Sequence, residues 1–197
     1  VQPAEPENLD VEGLFKGIYL FQQGPKQRKK VAQILASGVG MNWALKAAKL
    51  LESDWGVSAS VWSVTSWNEL RRDGLAVDRH NFLNPSDQRT AYVAHKLRNA
   101  EGPVIAVSDY MRAVQDQIAP WVSQDFVSLG TDGFGLSDTR GALRRHFKVD
   151  AESIVIATLA ALAKSGDVKA GVVQDAINKY QINDISAADP GNTEGSG

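Results

Sequence analysis

The 197-residue chain contains no cysteine. Disulfides, thiolate metal ligands and a cysteine nucleophile are therefore excluded from it, while the zero count alone favours a reducing compartment only weakly. Histidine is almost as scarce. His80, His95 and His146 lie far apart and form no His-x-x-x-His or Glu-x-x-His pair, so no metal site is expected. There is no run of about 18 apolar residues and no charged-then-apolar leader, so the sequence offers neither a membrane span nor a signal peptide. A cytoplasmic protein is the default expectation. Neither sign of charge dominates: 21 Lys and Arg stand against 23 Asp and Glu, which leaves no general surface for nucleic acid. What is present is 43% hydrophobic residues over a length that can bury one sizeable core.

The chain opens on Val1 and a Pro/Glu-rich stretch, Val1-Gln-Pro-Ala-Glu-Pro-Glu-Asn8, which reads as an interdomain linker over 1–12 and hence as part of a larger polypeptide. Methionine removal or trimming would leave the same start. The small polar end, residues 186–197, reads as a disordered tail. Between them, residues 13–185 are the expected domain. Strand-like runs occur at 17–23, 30–37, 56–64, 103–107 and 126–129, separated by helical periodicity. Met41, Ala44, Leu45, Ala48 and Leu51 define one buried helix face, and Ser66-Trp-Asn-Glu69 is a capping box opening the next helix. Further helices are expected over 89–98, over 113–121 and from Asp138 onward. Asp150 and Asp167 are expected as N-caps of the last two, the final one carrying Val172, Val173, Ala176, Ile177 and Tyr180 along one face. This alternation predicts a three-layer α/β/α domain with a mostly parallel five-stranded sheet. The first strand is expected to run antiparallel at an edge, because the Gly24-Pro25 turn is too short for a parallel crossover.

The candidate chemistry concentrates in one loop. Ser37-Gly-Val-Gly40 follows a strand, but Trp43 stands where a dinucleotide fingerprint needs glycine, so a tight strand-to-helix turn is the favoured reading. No Gly-x-Ser-x-Gly elbow is present. The run Lys26-Gln-Arg-Lys-Lys30 is short and interrupted, and it reads as a solvated loop. The five tryptophans fit core or helix faces as well as an interface. Gly130-Thr-Asp-Gly-Phe-Gly-Leu-Ser-Asp-Thr-Arg140 is different, joining a strand end to a helix with two carboxylates, a serine and an arginine. Asp132, Ser137, Asp138 and Arg140 are placed to form a polar cluster at the carboxyl edge of the sheet. The competing reading is structural: Gly133 and Gly135 relieve positive backbone angles, and Ser137 or Asp138 caps the next helix.

The pattern Gly-x-Asp-x-Phe-Gly-x-Ser resembles the carboxyl-terminal domain of transketolase-like thiamine diphosphate enzymes. Lys16-Gly-Ile-Tyr19, Ser37-Gly38, Val61-Trp-Ser-Val-Thr-Ser-Trp-Asn-Glu-Leu70, Ser108-Asp-Tyr-Met111 and Arg145-His-Phe-Lys-Val-Asp150 occur with it in one order. Together these phrases are similar to the carboxyl-terminal domain of the homodimeric pyruvate dehydrogenase first component over about residues 12–185. The resemblance implies three consecutive α/β domains in the whole enzyme, of which the first two hold magnesium and thiamine diphosphate and supply the catalytic residues. It implies that the whole enzyme decarboxylates pyruvate and acetylates the lipoyl group of a dihydrolipoyl acetyltransferase. Its implied partners are the rest of its own polypeptide and the second subunit of a homodimer.

This chain has no Gly-Asp-Gly motif with a distant Asn for magnesium diphosphate, so the resemblance carries no catalytic, cofactor or metal residue onto it, and the isolated chain is expected to be inactive. It carries over only structural or interface candidates: Asp109, Tyr110, Asp132, Phe134, Ser137, Asp138 and Arg140. His80 receives no family role. Two alternatives stay open: a non-catalytic scaffold or regulatory module of the same fold, and the equivalent domain of another transketolase-type enzyme.

Overall fold

The computed structural model describes residues 3–26 and 28–188. Val1 and Gln2 of the expected linker, Gln27 of the basic run and residues 189–197 of the expected tail lie outside the described residues. Five strands form one sheet: β1 (Ile18–Gln22), β2 (Val31–Ala36), β3 (Ser58–Val64), β4 (Val104–Val107) and β5 (Phe126–Leu129), in the order β1-β3-β2-β4-β5. β3, β2, β4 and β5 are mutually parallel, and β1 pairs antiparallel with β3, Ile18 facing Val64. The Gly24-Pro25 turn does reverse the chain, but it makes no hairpin, because β3 lies between β1 and β2.

Eight helices cover the sheet among the described residues: α1 (Val11–Lys16), α2 (Gly40–Trp55), α3 (Trp67–Leu83), α4 (Tyr92–Leu97), α5 (Arg112–Asp116), α6 (Arg140–His146), α7 (Ala151–Lys164) and α8 (Ala170–Lys179). α1 takes in Val11 and Glu12, which the sequence reading gives to the linker, and a 3-10 turn at Ile185–Ala187 runs into the expected tail. Successive strand residues point to opposite faces. Ile34 joins Met41, Leu51, Ile154, Leu159 and Ala176 in one core, while its neighbour Leu35 joins Trp67, Leu70, Val93, Leu97 and Ile118 in the other. β4 is buried along its whole length, and β2 along all but its first residue, which explains their unbroken apolar runs.

The caps follow the sequence at two places and depart from it at two others. The Ser66 hydroxyl accepts the Glu69 amide at 3.1 Å, and the Asp150 carboxylate accepts the Ser153 amide at 3.0 Å. Asp167, expected as an N-cap, is not one. α8 begins at Ala170 behind Lys169, whose side chain makes no cap bond, and Asp167 instead accepts the Ser165 hydroxyl at 2.5 Å. The helix expected over 113–121 is also divided. α5 stops at Asp116 and a 3-10 turn follows at Ala119–Trp121, because Pro120 has no amide for the Asp116 carbonyl and its ring would strike it. The broken segment puts the Trp121 ring against α3 at Gly74, where any Cβ would overlap the ring. A glycine inside a helix costs about 1 kcal/mol relative to alanine. Close packing on Trp121, whose indole also donates to Asp78 at 3.0 Å, is what that cost permits.

β3 lies on one side of β2 and β4 on the other, so the chain leaves the ends of β2 and β4 in opposite directions. That divergence opens a crevice at the carboxyl edge of the sheet, the same edge that carries the Gly130–Arg140 loop.

Candidate functional site

Three segments meet at the carboxyl edge: the Ser37-Gly38 turn after β2, residues 108–111 after β4 and residues 130–139 after β5. The first is locked by the Trp67 indole, which donates to the Ser37 hydroxyl at 3.0 Å. The second and third are tied to each other. The Thr131 amide donates to the Tyr110 carbonyl at 2.9 Å, and the Thr131 hydroxyl to the Asp109 carbonyl at 2.7 Å. The two segments therefore behave as one double loop.

Asp132 completes this link, with a partner the sequence reading missed. One carboxylate oxygen accepts the Arg112 amide at 2.9 Å, and the other accepts the Arg112 Nε at 2.6 Å. The Arg112 side-chain hydrogen bond, joined by its amide, holds the Asp132 carboxyl below its ordinary value of 3.8. Arg112 follows directly on Ser108-Asp-Tyr-Met111, but no spacing rule connects it to a residue 20 positions away. The link is present at neutral pH, fully so above the ordinary carboxyl range of about 3.9, and it is lost as pH falls through the lowered folded value. A carboxyl-detected NMR titration is expected to place the Asp132 midpoint below 3.8, and Asp132→Asn is expected to speed exchange of the Arg112 amide. A midpoint at or above the ordinary value would contradict the link.

Among the described residues, no hydrogen bond or ion pair joins the rest of the expected polar cluster to Asp132. Ser137, Asp138 and Arg140 are exposed, and among the described residues Arg140 pairs with neither Asp132 nor Asp138. The α6 cap is Thr139, whose hydroxyl accepts the Ala142 amide at 3.3 Å, and not Ser137 or Asp138. Asp138 instead accepts the Thr139 amide at 2.6 Å. Of the two loop glycines, Gly133 has a positive φ of 93°, whereas Gly135 does not. Phe134 is 95% exposed, and Leu136, Tyr110 and Met111 are more than half exposed on the same double loop. Four large apolar side chains are thus exposed on this edge, Tyr110 and Met111 beside the hydrogen-bonded link and Phe134 and Leu136 just beyond it.

Two concavities flank this loop. A cleft of about 640 Å³ opens between Ser37-Gly38, the end of β3 at Ser63–Ser66, and Tyr110. A smaller, almost wholly apolar hollow of about 220 Å³ lies under Trp43, Leu143, Phe147 and Val149, with Asp109 and Arg144 also lining it. The Arg144 guanidinium sits 4.5 Å from the Trp43 ring centre, a cation–π contact. Neither concavity carries a nucleophile held by a base: among the described residues, no histidine is hydrogen bonded to a serine or threonine hydroxyl. No three His, Asp or Glu side chains among them are grouped to hold a metal ion. Asp132 spends both oxygens on Arg112, so these residues do not fit a magnesium diphosphate site.

Residues 17–150 match the model of the transketolase-like TK C-terminal domain. The chain is 58% identical over 188 residues to the pyruvate dehydrogenase E1 component of Mycolicibacterium smegmatis, covering 95% of this chain and 20% of that protein. It is 53% identical over 197 residues to the component of the same name from Mycobacterium tuberculosis, covering 97% of this chain and 21% of that protein. Among solved structures it resembles a transketolase from Pichia stipitis with a TM-score of 0.55 at 24% identity, over 84% of this chain and 20% of that one. The last likeness concerns the fold alone. The chain thus spans about a fifth of the length of the curated relatives it matches. With its sheet order, its carboxyl-edge loop and this extent of similarity, the chain belongs to the transketolase-like TK C-terminal domain family, as a homologue of the carboxyl-terminal domain of pyruvate dehydrogenase E1 components.

Proposed function

We propose that this chain is the carboxyl-terminal domain of the pyruvate-decarboxylating component of a pyruvate dehydrogenase complex, and that it supports dimerisation and active-site architecture without itself reacting. In this reading residues 13–185 form the domain, and thiamine diphosphate and magnesium belong to the upstream domains. The whole enzyme decarboxylates pyruvate in the cytoplasm and passes the acetyl unit to a lipoyl-bearing dihydrolipoyl acetyltransferase. The observation that carries the reading is similarity above 50% identity along nearly the entire chain to proteins five times its length. The exposed apolar side chains of the double loop support it, since a group of large exposed apolar side chains gains from a partner surface. Asp109, Tyr110, Asp132, Phe134, Ser137, Asp138 and Arg140 are assigned to subunit packing and to the approach to a site formed elsewhere.

The test compares the 197-residue chain with the longer polypeptide that contains it, each supplied with thiamine diphosphate, magnesium and either pyruvate or a ketose phosphate. Carbon dioxide release from pyruvate by the longer polypeptide and none by the chain alone is the expected result. Pyruvate turnover by the chain alone would overturn the division of labour. Turnover of the ketose phosphate in place of pyruvate would assign the domain to another transketolase-type enzyme, and no turnover by either polypeptide would favour a scaffold.

A further inference from the structure

The outer face of α3, across the sheet from α2, carries a second surface that the carboxyl-edge loop does not involve. Each α3 carboxylate already has a partner within the domain: Glu69 pairs with Arg72, Asp73 accepts the Tyr92 amide at 2.6 Å, and Asp78 accepts the Trp121 indole at 3.0 Å. Arg71 and Arg79 are exposed and have no ion pair among the described residues. Leu75 lies between them, and Phe82, 87% exposed, and Leu83 continue the row. Positions four apart share a helix face, so Arg71, Leu75, Arg79 and Leu83 form one stripe. Its two unpaired guanidinium groups stand about 12 Å apart along the axis.

We propose that this stripe docks an acidic amphipathic helix of a partner protein. Two carboxylates of that helix, two turns apart, meet Arg71 and Arg79, and an apolar side chain between them rests on Leu75 and Phe82. Charge complementarity selects this occupant. The arginine fork matches a carboxylate bidentately. A continuous polyanion is disfavoured, because Glu69 and Asp78 flank the stripe and the whole chain carries a net charge of -2. The positions of the two arginines, not a diffuse basic field, carry the specificity. The proposal does not depend on the enzyme to which the domain belongs.

The test is fluorescence anisotropy with a labelled helical peptide carrying glutamates two turns apart around a leucine, titrated with the 197-residue chain and with the longer polypeptide. Both are expected to bind it, with affinity falling as salt rises. Arg71→Glu combined with Arg79→Glu is expected to weaken binding by about tenfold or more. The same variant should bind a peptide with lysines in place of the glutamates, and that charge-swap rescue separates complementarity from misfolding. Leu75→Ser is expected to weaken binding with little change in the salt dependence. Equal binding by the reversed variant, failure of the lysine peptide to rescue, or binding by the chain but not by the longer polypeptide would each overturn the proposal. So would tighter, Arg71- and Arg79-dependent binding to phosphatidylglycerol vesicles or to RNA.

Discussion

Replacing Arg145 by methionine is expected to destabilise the domain by about 3–5 kcal/mol, the usual cost of stripping one partner from a buried ion pair. The Arg145 side chain is 2% exposed, although it lies in the last turn of α6, where a cation ordinarily faces water. Its guanidinium donates to the Asp150 carboxylate, stands 3.6 Å from Glu152, and reaches the carbonyls of Tyr180 at 3.2 Å and Gln181 at 3.4 Å. Glu152 in turn accepts Lys46 of α2 at 3.0 Å. One side chain therefore joins α6, α7 and the end of α8, and through Glu152 it reaches α2. Burial without Arg145 would leave the Asp150 carboxylate with the Ser153 amide alone. A urea-unfolding cycle is expected to show R145M more destabilised than R145M combined with D150N, with a coupling of about 1–3 kcal/mol. An R145M unfolding free energy within 1 kcal/mol of the parent would show that the network is not a keystone.

The same network explains how the chain continues past the matched family region, which ends at residue 150. α7 and α8 lie wholly beyond it, and both are fastened to α2. Glu152 of α7 meets Lys46. At the last turn of α2, the Tyr180 hydroxyl accepts the Trp55 indole at 2.9 Å and donates to Asp54 at 2.8 Å, while Lys179 pairs with Asp54 at 2.8 Å. Burial is the main cause that pushes the Tyr180 phenol well above its ordinary value of 10. Its contribution is therefore complete below the ordinary phenol range and is lost only as pH climbs through the raised value.

Much of this fold is legible in the sequence because its signals are local. The five strand runs, the Met41-to-Leu51 stripe, the Ser66 cap and the Asp150 cap each depend on residues a few positions apart, and each appears in the structure near where the sequence places it, although Leu45 is only partly buried and the Glu69 side chain pairs with Arg72 and does not close a capping box. The Gly130–Arg140 loop also lies at the sheet edge where its setting between strand and helix puts it. Its internal pairing was not legible. Asp132 chooses Arg112 over Arg140 because the β4 and β5 ends are hydrogen-bonded neighbours, a contact set by sheet order and not by chain distance. Arg145 escaped for the same reason: a charged residue at a helix end ordinarily faces water, and only the return of α8 buries it. Asp167 does not cap α8, because a Ser165-to-Asp167 turn competes for the carboxylate that a cap would use.

Gly102→Ala is expected to be the second most damaging of these changes, although it adds a single methyl group to a partly exposed loop. Gly102 has a φ of 79°, and a Cβ built there would overlap the carbonyl oxygen of Val31, at the start of β2. The loop cannot retreat. The carbonyls on either side of Gly102, those of Glu101 and Pro103, accept the side-chain and backbone NH groups of Gln33, each at 2.9 Å, and Val104 begins the β4 ladder. The left-handed backbone costs an L-residue about 1–2 kcal/mol, and an overpacked methyl adds about 1–3 kcal/mol. Lower entropy of the unfolded chain returns about 0.4–1 kcal/mol. The balance is a loss of about 2–4 kcal/mol, or roughly 4–16 °C in melting temperature for a chain of this size. Gly133 supplies the comparison, since its φ is 93° but nothing lies within 4 Å of its Cβ position. Gly133→Ala meets the strain without the collision, so its cost is expected to stay near 1 kcal/mol. Thermal unfolding of both variants separates the two causes: equal losses would mean that backbone angle alone sets the price, whereas a larger loss at Gly102 locates the constraint in the β2 backbone against which the loop is pressed.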